Sequence, residues 1–76
     1  MFKNNLFAER IKQSRLEKNL TQLQLANMLN VTKTAISDIE RSRRTTTIEK
    51  LYEISVCLEV STDYLLGISN IPTIKQ

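Results

Sequence analysis

Histidine is absent from this chain, and cysteine, glycine and proline occur once each among 76 residues. Without histidine and with a single thiol at Cys57, the usual zinc sites, the Ser-His-Asp triad, Cys-His pairs and an internal disulfide are excluded. Few side chains remain that could catalyse a reaction or hold a metal. The composition therefore predicts a protein that is not an enzyme and that requires no cofactor.

Long apolar runs are also absent. No stretch approaches the roughly 18 to 20 apolar residues that a membrane span needs, and the first residues, MFKNNLF, lack the basic and then apolar design of a signal peptide. We therefore expect a cytoplasmic protein with no membrane partner. A chain this short buries only about 60% of its unfolded surface, so one small domain is expected.

The charges are unevenly distributed along the chain. Residues 1–44 carry nine positive and four negative side chains, whereas residues 45–66 carry one positive and four negative side chains. A basic half of this kind is the electrostatic footprint of a protein that binds nucleic acid. Ordinary scatter of surface charge would give a similar count, so charge alone leaves both interpretations open.

The pattern of apolar residues predicts helices joined by short turns. Glycine and proline do not occur before Gly67, and no stretch alternates apolar with polar residues for long enough to indicate a strand. Asn4 or Asn5 is predicted to cap a first helix that runs to about Lys18. Its predicted inward residues are Phe7, Ile11 and Leu16.

Two further helices are predicted from their caps. Thr21 followed by Gln24 fits a capping box, which places the start of a second helix near Gln22. This helix ends at Asn30, a residue type that tolerates the left-handed conformation of a sharp helix exit. Thr32 is then predicted to cap a third helix that runs through Glu40. At 100° per residue, its apolar arc holds Ile36 and Ile39, and its polar arc holds Lys33, Thr34, Ser37 and Asp38.

The second half of the chain predicts two more helices and a tail. Thr46 with Glu49 fits another capping box, so a fourth helix is expected from about Thr47 to Leu58. Ser61 is expected to cap a short fifth helix that stops at Gly67. The predicted inward residues of the fourth helix are Leu51, Ile54 and Leu58.

The second and third helices, joined by a turn of about three residues, form a helix-turn-helix arrangement. The run RIKQSRLEKNLTQLQLANMLNVTKTAISDIERSRR, followed by IEKLYEISVCLEVSTDYLLG, resembles the Xre/Cro/C1 family of bacterial and phage repressors over about residues 10–67. The resemblance implies a five-helix, all-α, lambda-repressor-like domain at residues 1–67 that binds operator DNA as a dimer. Residues 68–76 are then a C-terminal tail.

The resemblance also implies a role for individual residues. The side chains that face bases in the major groove correspond to Lys33, Thr34, Ser37 and Asp38. Small Ser and Thr side chains let a helix approach base edges closely, and lysine can donate to guanine; a merely solvated face is the alternative. An acid at Asp38 is unfavourable near phosphates unless it accepts from cytosine or pairs with Lys33 or Arg41.

Phosphate contacts and a structural ion pair complete the implied site. The predicted phosphate contacts are Gln22, Thr32, Arg41, Arg43 and Arg44. The guanidinium group of the three arginines is a fork-shaped donor suited to phosphate. The alternative for the arginines is a simple charge run. The resemblance further implies an ion pair between Arg15 and Glu40 that links the first and third helices.

The functional hypothesis is a transcriptional regulator, and more specifically a repressor, that binds double-stranded DNA as a homodimer. An antitoxin, a restriction-modification controller and a protein-interaction module without DNA binding are the alternatives, and a partner protein is possible. The isoleucines of the tail lack a helical period, so they indicate either a dimer contact or a frayed terminus. The predicted dimer residues are Tyr64, Leu65, Ile68, Ile71 and Ile74.

Overall fold

The computed structural model describes residues 2–73. This part of the chain forms helices and no strands, so the predicted all-α, lambda-repressor-like class is confirmed. The helices are α1 (Asn4–Glu17), α2 (Gln22–Leu29), α3 (Lys33–Glu40), α4 (Ile48–Leu58) and α5 (Thr62–Leu66). None of these helices combines the length and the apolar character needed to cross a membrane.

Hydroxyl side chains cap four of these helices. The capping box at α2 is confirmed: Gln24 N donates to Thr21 Oγ1 at 3.0 Å, and Thr21 N donates to Gln24 Oε1 at 2.8 Å. Thr32 and Ser61 cap α3 and α5 as predicted, by accepting from the backbone N–H groups three residues further on. Each cap satisfies one of the backbone donors that a helix start leaves free.

The predicted cap of α1 is wrong. Lys3 occupies the N-cap position without a side-chain hydrogen bond, and Asn4 is already the first helical residue. The Asn4 side chain instead donates from Nδ2 to the carbonyl oxygen of Ser42 at 3.0 Å. A tertiary contact with the loop after α3 therefore uses the amide that the local sequence offers to a cap.

The predicted start of α4 is wrong by one residue. Thr47, not Thr46, is the N-cap, since its Oγ1 accepts from Lys50 N at 3.2 Å, and the helix begins at Ile48. Three consecutive threonines precede this helix, so the sequence offers equivalent caps at neighbouring positions. The packing of α4 onto the core selects among them.

The cap assignment at α4 is testable with a matched pair of variants. Thr47→Ala is expected to lower the free energy of unfolding by about 1 kcal/mol, because it removes a helix N-cap. Thr46→Ala is expected to change it by less than about 0.5 kcal/mol, because its hydroxyl caps nothing. Urea unfolding followed by circular dichroism measures both values, and equal losses from the two variants would contradict the assignment.

Left-handed residues end three of the helices. Asn30, Glu59 and Gly67 have φ values of 58°, 57° and 83°. Gly67 is needed for two reasons: its φ disfavours other residues, and a Cβ there would lie 3.0 Å from Leu6 Cδ2. These exits keep the connections short and turn each helix back onto the core.

The core lies where all five helices meet. Its fully buried members include Ile11, Leu25, Leu29, Ile36, Ile54, Leu58 and Leu65. The prediction that Leu16 points inward is wrong, because its side chain is 48% exposed and the neighbouring Ser14 and Arg15 are buried instead. Cys57 packs against the edge of this core, and burial, together with the nearby charge of Glu53, raises the pKa of its thiol.

Candidate nucleic-acid interface

The turn between α2 and α3 sets the direction of α3. Asn30 adopts the left-handed conformation, and Val31 N then donates to the Ala26 carbonyl oxygen at 3.0 Å. Thr32 caps the next helix immediately afterwards. Ile36 and Ile39 are 1% and 5% exposed, so they anchor one side of α3 in the core. The opposite, polar side of α3 therefore faces outward.

The outward side of α3 borders a shallow depression that we call the α2–α3 groove. It contains the four predicted base-contacting residues and three of the five predicted phosphate-contacting residues. The residues that line it are Gln22, Lys33, Thr34, Ser37, Asp38, Arg41 and Arg43. Small hydroxyl side chains thus lie along the helix, with cations around them.

Two predicted phosphate contacts lie outside this groove. Arg44 lines a separate depression behind α3, beside Thr46 and Lys50. Thr32 is exposed at the start of α3, but its hydroxyl oxygen accepts the capping hydrogen bond from Ala35 N at 3.1 Å. The structure therefore brings Arg41 and Arg43 together with the polar face and separates Arg44 from it.

A buried ion pair joins α1 to the end of α3, beside the α2–α3 groove. Arg15 donates from Nε and Nη2 to the two carboxylate oxygens of Glu40, at 2.7 and 3.0 Å. The side chains are only 8% and 3% exposed. Arg15 Nη1 also donates to the Leu20 carbonyl oxygen at 2.8 Å. This fork-to-fork arrangement fixes the end of α3 relative to α1.

Sequence reasoning missed the role of Gln22 in this network. Its Nε2 donates to Glu40 Oε1 at 3.1 Å, which orients the amide at the start of α2. A primary amide has two N–H donors, so one remains for a second acceptor such as a phosphate oxygen. The sequence contained no local signal for this contact, because the two residues lie 18 positions apart.

The cation beside Asp38 is Arg43, and neither Lys33 nor Arg41 is its ion-pair partner among the described residues. The Arg43 Nη1 to Asp38 Oδ1 distance is 4.0 Å, and Arg43 N also donates to the Asp38 carbonyl oxygen at 2.8 Å. Ser42, with φ of 62°, makes this tight exit possible. The turn places the Arg43 guanidinium, 65% exposed, at the rim of the groove.

Arg43 is expected to contribute affinity without sequence preference. If it contacts a phosphate, Arg43→Ala should weaken binding to all DNA sequences about equally and reduce the salt slope, the change of log affinity with log salt, by roughly 1 unit. Fluorescence anisotropy across a salt series measures this slope. An unchanged slope combined with lost sequence preference would show that Arg43 reads bases.

The predicted dimer residues occupy different environments. Leu65 is 0% exposed and belongs to the core, so its assignment to an exposed interface is wrong. Tyr64 is half-buried, with the Arg10 guanidinium carbon 4.1 Å from its ring centroid. Ile68 and Ile71 are 74% and 61% exposed. Ile74 lies outside the described residues.

In this helical bundle, two short helices join through a left-handed turn, and the second of them exposes a polar face with cations at its rim. This arrangement defines a helix-turn-helix domain. The family model described as Helix-turn-helix matches residues 11–65. The chain belongs to this family of DNA-binding transcription regulators, in its Xre/Cro/C1 form.

Relatives of this family are similar in sequence and in structure. The chain is 41% identical over 66 residues to the uncharacterized HTH-type transcriptional regulator YqaE of Bacillus subtilis, covering 86% of this chain and 57% of YqaE. It is 36% identical over 72 residues to control protein C.BamHI of Bacillus amyloliquefaciens, covering 93% and 89%. The P22 c2 repressor, solved with a synthetic operator, superposes with a TM-score of 0.80 at 38% identity, covering 84% and 97%. The chain spans only about half the length of YqaE and of several other curated relatives.

Proposed function

We propose that this protein is a sequence-specific transcriptional repressor that binds an imperfectly palindromic operator in double-stranded DNA as a homodimer. The observation that carries the proposal is the α2–α3 groove. Its polar helix face carries one lysine and small hydroxyl side chains, and arginines rim it. That combination suits base edges in the middle and phosphates at the margin.

The relatives support the proposal at the level of the ligand. The P22 c2 repressor, whose fold superposes on this chain with 38% identity over the aligned residues, is solved in complex with a synthetic operator. Because the two folds superpose, the α2–α3 groove of this chain is expected to bind the same type of ligand, operator DNA. The third helix then lies in the major groove with its early residues, Lys33 and Thr34, nearest the bases.

A homodimer is proposed because one domain reads too few base pairs. A single helix of eight residues contacts only part of a site, and a regulator must discriminate its operator from a whole genome of competing sequences. Two copies on a two-fold axis place their α3 helices about 34 Å apart, which corresponds to half-sites about 10 base pairs apart.

A restriction-modification controller is the second candidate function. C.BamHI is named a control protein, and it matches this chain over nearly the full length of both proteins, unlike the longer relatives. Both functions use the same DNA chemistry.

Selection of bound sequences from a random pool of double-stranded DNA, at about physiological salt, tests the proposal. The expected result is one enriched inverted repeat whose half-sites are centred about 10 base pairs apart. Enrichment of a single unrepeated half-site would contradict the homodimer. The absence of any enriched sequence would contradict sequence-specific binding.

A further inference from the structure

The turn that follows α3 is fixed at one peptide unit, the one between Ser42 and Arg43. Its N–H group, on Arg43, donates to the Asp38 carbonyl oxygen at 2.8 Å. Its carbonyl oxygen, on Ser42, accepts from Asn4 Nδ2 at 3.0 Å. A trans peptide unit is planar, so hydrogen bonds to both of its polar atoms fix the plane and the direction in which the chain continues. Helix α3 thus holds one side of this peptide, and α1 holds the other.

The backbone of this turn sets the position of the Arg43 side chain. The distance of 4.0 Å from Arg43 Nη1 to Asp38 Oδ1 is too long for a hydrogen bond, and the arginine side chain is 65% exposed. An ion pair of this length on an exposed side chain does little to restrain it. The guanidinium reaches the rim of the α2–α3 groove because the turn places the Arg43 backbone beside it. A contact that fixes the turn therefore also positions Arg43.

Three locally unfavourable features surround the contact between Asn4 and Ser42. Lys3 occupies the N-cap position of α1 without a side-chain hydrogen bond, although asparagine, a good N-cap residue, comes next. Asn4 Oδ1 is buried and accepts no hydrogen bond from the described residues. Ser42 has a φ of 62°, which is costly for a residue other than glycine. Local costs of this kind persist only where the surrounding structure enforces them, and they cluster at functional sites.

We propose that Asn4 is a positioning residue for DNA binding: its amide holds the Ser42 carbonyl oxygen, and the turn held in this way presents the Arg43 guanidinium to a DNA phosphate. The inference rests on the proposed function, because it concerns how the rim of the α2–α3 groove meets the DNA backbone. It adds to the interface a residue of α1 that does not line the groove itself.

Helix α1 is a firm support for this turn. It packs into the core through Phe7, which is 2% exposed. It also contacts the end of α3 and the turn beyond it at two points, through Arg15 to Glu40 and through Asn4 to Ser42. These two points lie about three helical turns apart along α1. The exit of α3 therefore cannot rotate about the ion pair without breaking the Asn4 hydrogen bond.

Binding to double-stranded DNA of mixed sequence, measured by fluorescence anisotropy across a salt series, tests the proposal because such binding depends on phosphate contacts. Asn4→Ala is expected to weaken binding about threefold, the effect of losing one hydrogen bond, and to lower the salt slope towards that of Arg43→Ala. Asn5→Ala is the matched control, because it removes the same amide from an exposed residue at the next position of α1. It is expected to leave the affinity and the slope unchanged.

A double-mutant cycle shows whether the effect of Asn4 passes through Arg43. In an Arg43→Ala background, Asn4→Ala is expected to have no further effect on affinity or on the salt slope, because the side chain that it positions is gone. Equal losses in both backgrounds would overturn the positioning role. A lower melting temperature with unchanged affinity and slope would also overturn it, since that result is the one expected of a purely structural contact.

Asn4→Leu separates hydrogen bonding from packing. Leucine is branched at the same position as asparagine and has a similar size, but it has no donor for the Ser42 carbonyl oxygen. Binding as weak as that of Asn4→Ala supports the role of the donor. Binding as strong as that of the parent chain would show that the side chain only fills space, and would overturn the proposal. Circular dichroism at the assay temperature identifies the folded variants, and the double-mutant cycle uses whichever of the two Asn4 variants is folded.

The outcomes separate this inference from the proposed function. If Arg43→Ala weakens DNA binding and neither Asn4 variant does, the positioning role is overturned and the DNA-binding function stands. If the parent chain binds no DNA, the proposed function is overturned, and the inference fails with it. If Arg43→Ala changes neither the affinity nor the salt slope, the phosphate contact that Asn4 is proposed to position is overturned.

Discussion

Glu40→Ala is expected to lower the free energy of unfolding by about 3 kcal/mol, the effect typical of removing one partner from a buried ion pair. The change leaves the Arg15 guanidinium, 8% exposed, without the acceptor for two of its hydrogen bonds. Gln22 loses its acceptor as well. The cost arises chiefly from an unpaired charge that remains out of water, and only partly from the lost attraction.

Urea unfolding of three variants distinguishes these contributions. Glu59→Ala is the control, because Glu59 forms an ion pair with Lys18 in which the side chains are 69% and 37% exposed; its expected cost is below about 1 kcal/mol. Changing both Arg15 and Glu40 to Met removes both charges and is expected to be nearly neutral. A loss for Glu40→Ala as small as the loss for Glu59→Ala would mean that solvent reaches the Arg15 site.

Lys33→Ala is expected to cost about 1 to 3 kcal/mol of binding free energy at one operator position and to relax the base preference there. Lys33 is the first residue of α3, is exposed, and lines the α2–α3 groove. A lysine side chain can donate to guanine O6 and N7, so the expected loss depends on the base pair that faces Lys33.

Competition binding with operators changed at single positions measures this preference. Lys12→Ala is the matched control, because Lys12 is an exposed lysine of α1 that does not line the groove. It removes the same charge and should weaken all operators slightly and equally. If preference at every position survives in Lys33→Ala, Lys33 does not read a base.

The helices and their connections could be predicted from sequence because their signals are local. Thr21 and Gln24 specify the start of α2, Asn30 its exit, and Thr32 the start of α3. The 3.6-residue period then places Ile36 in the core and Lys33 outside. Each of these signals acts within one or two turns of the chain, so no knowledge of distant residues is required.

The wrong predictions concern positions at which the local sequence allowed more than one cap or more than one buried residue. Asn4 could cap α1 or reach Ser42, and Thr46 and Thr47 could each cap α4. Leu65 and Ile68 are both apolar near the end of the domain, yet one is 0% and the other 74% exposed. Packing against neighbouring helices decides between these options, and a short segment of sequence does not show which distant residues it will pack against.

The sequence by itself determined five helices, a helix-turn-helix unit and a basic half, because period, caps and charge are properties of short segments. The tertiary structure alone decided that Gln22 shares Glu40 with Arg15, that Arg43 lies beside Asp38 while Arg44 lies elsewhere, and that Arg10 ties the tail to α1. Most of these contacts join residues 18 to 60 positions apart. They depend on where the folded core places each helix end, and the local sequence pattern does not specify how close two such ends lie in space.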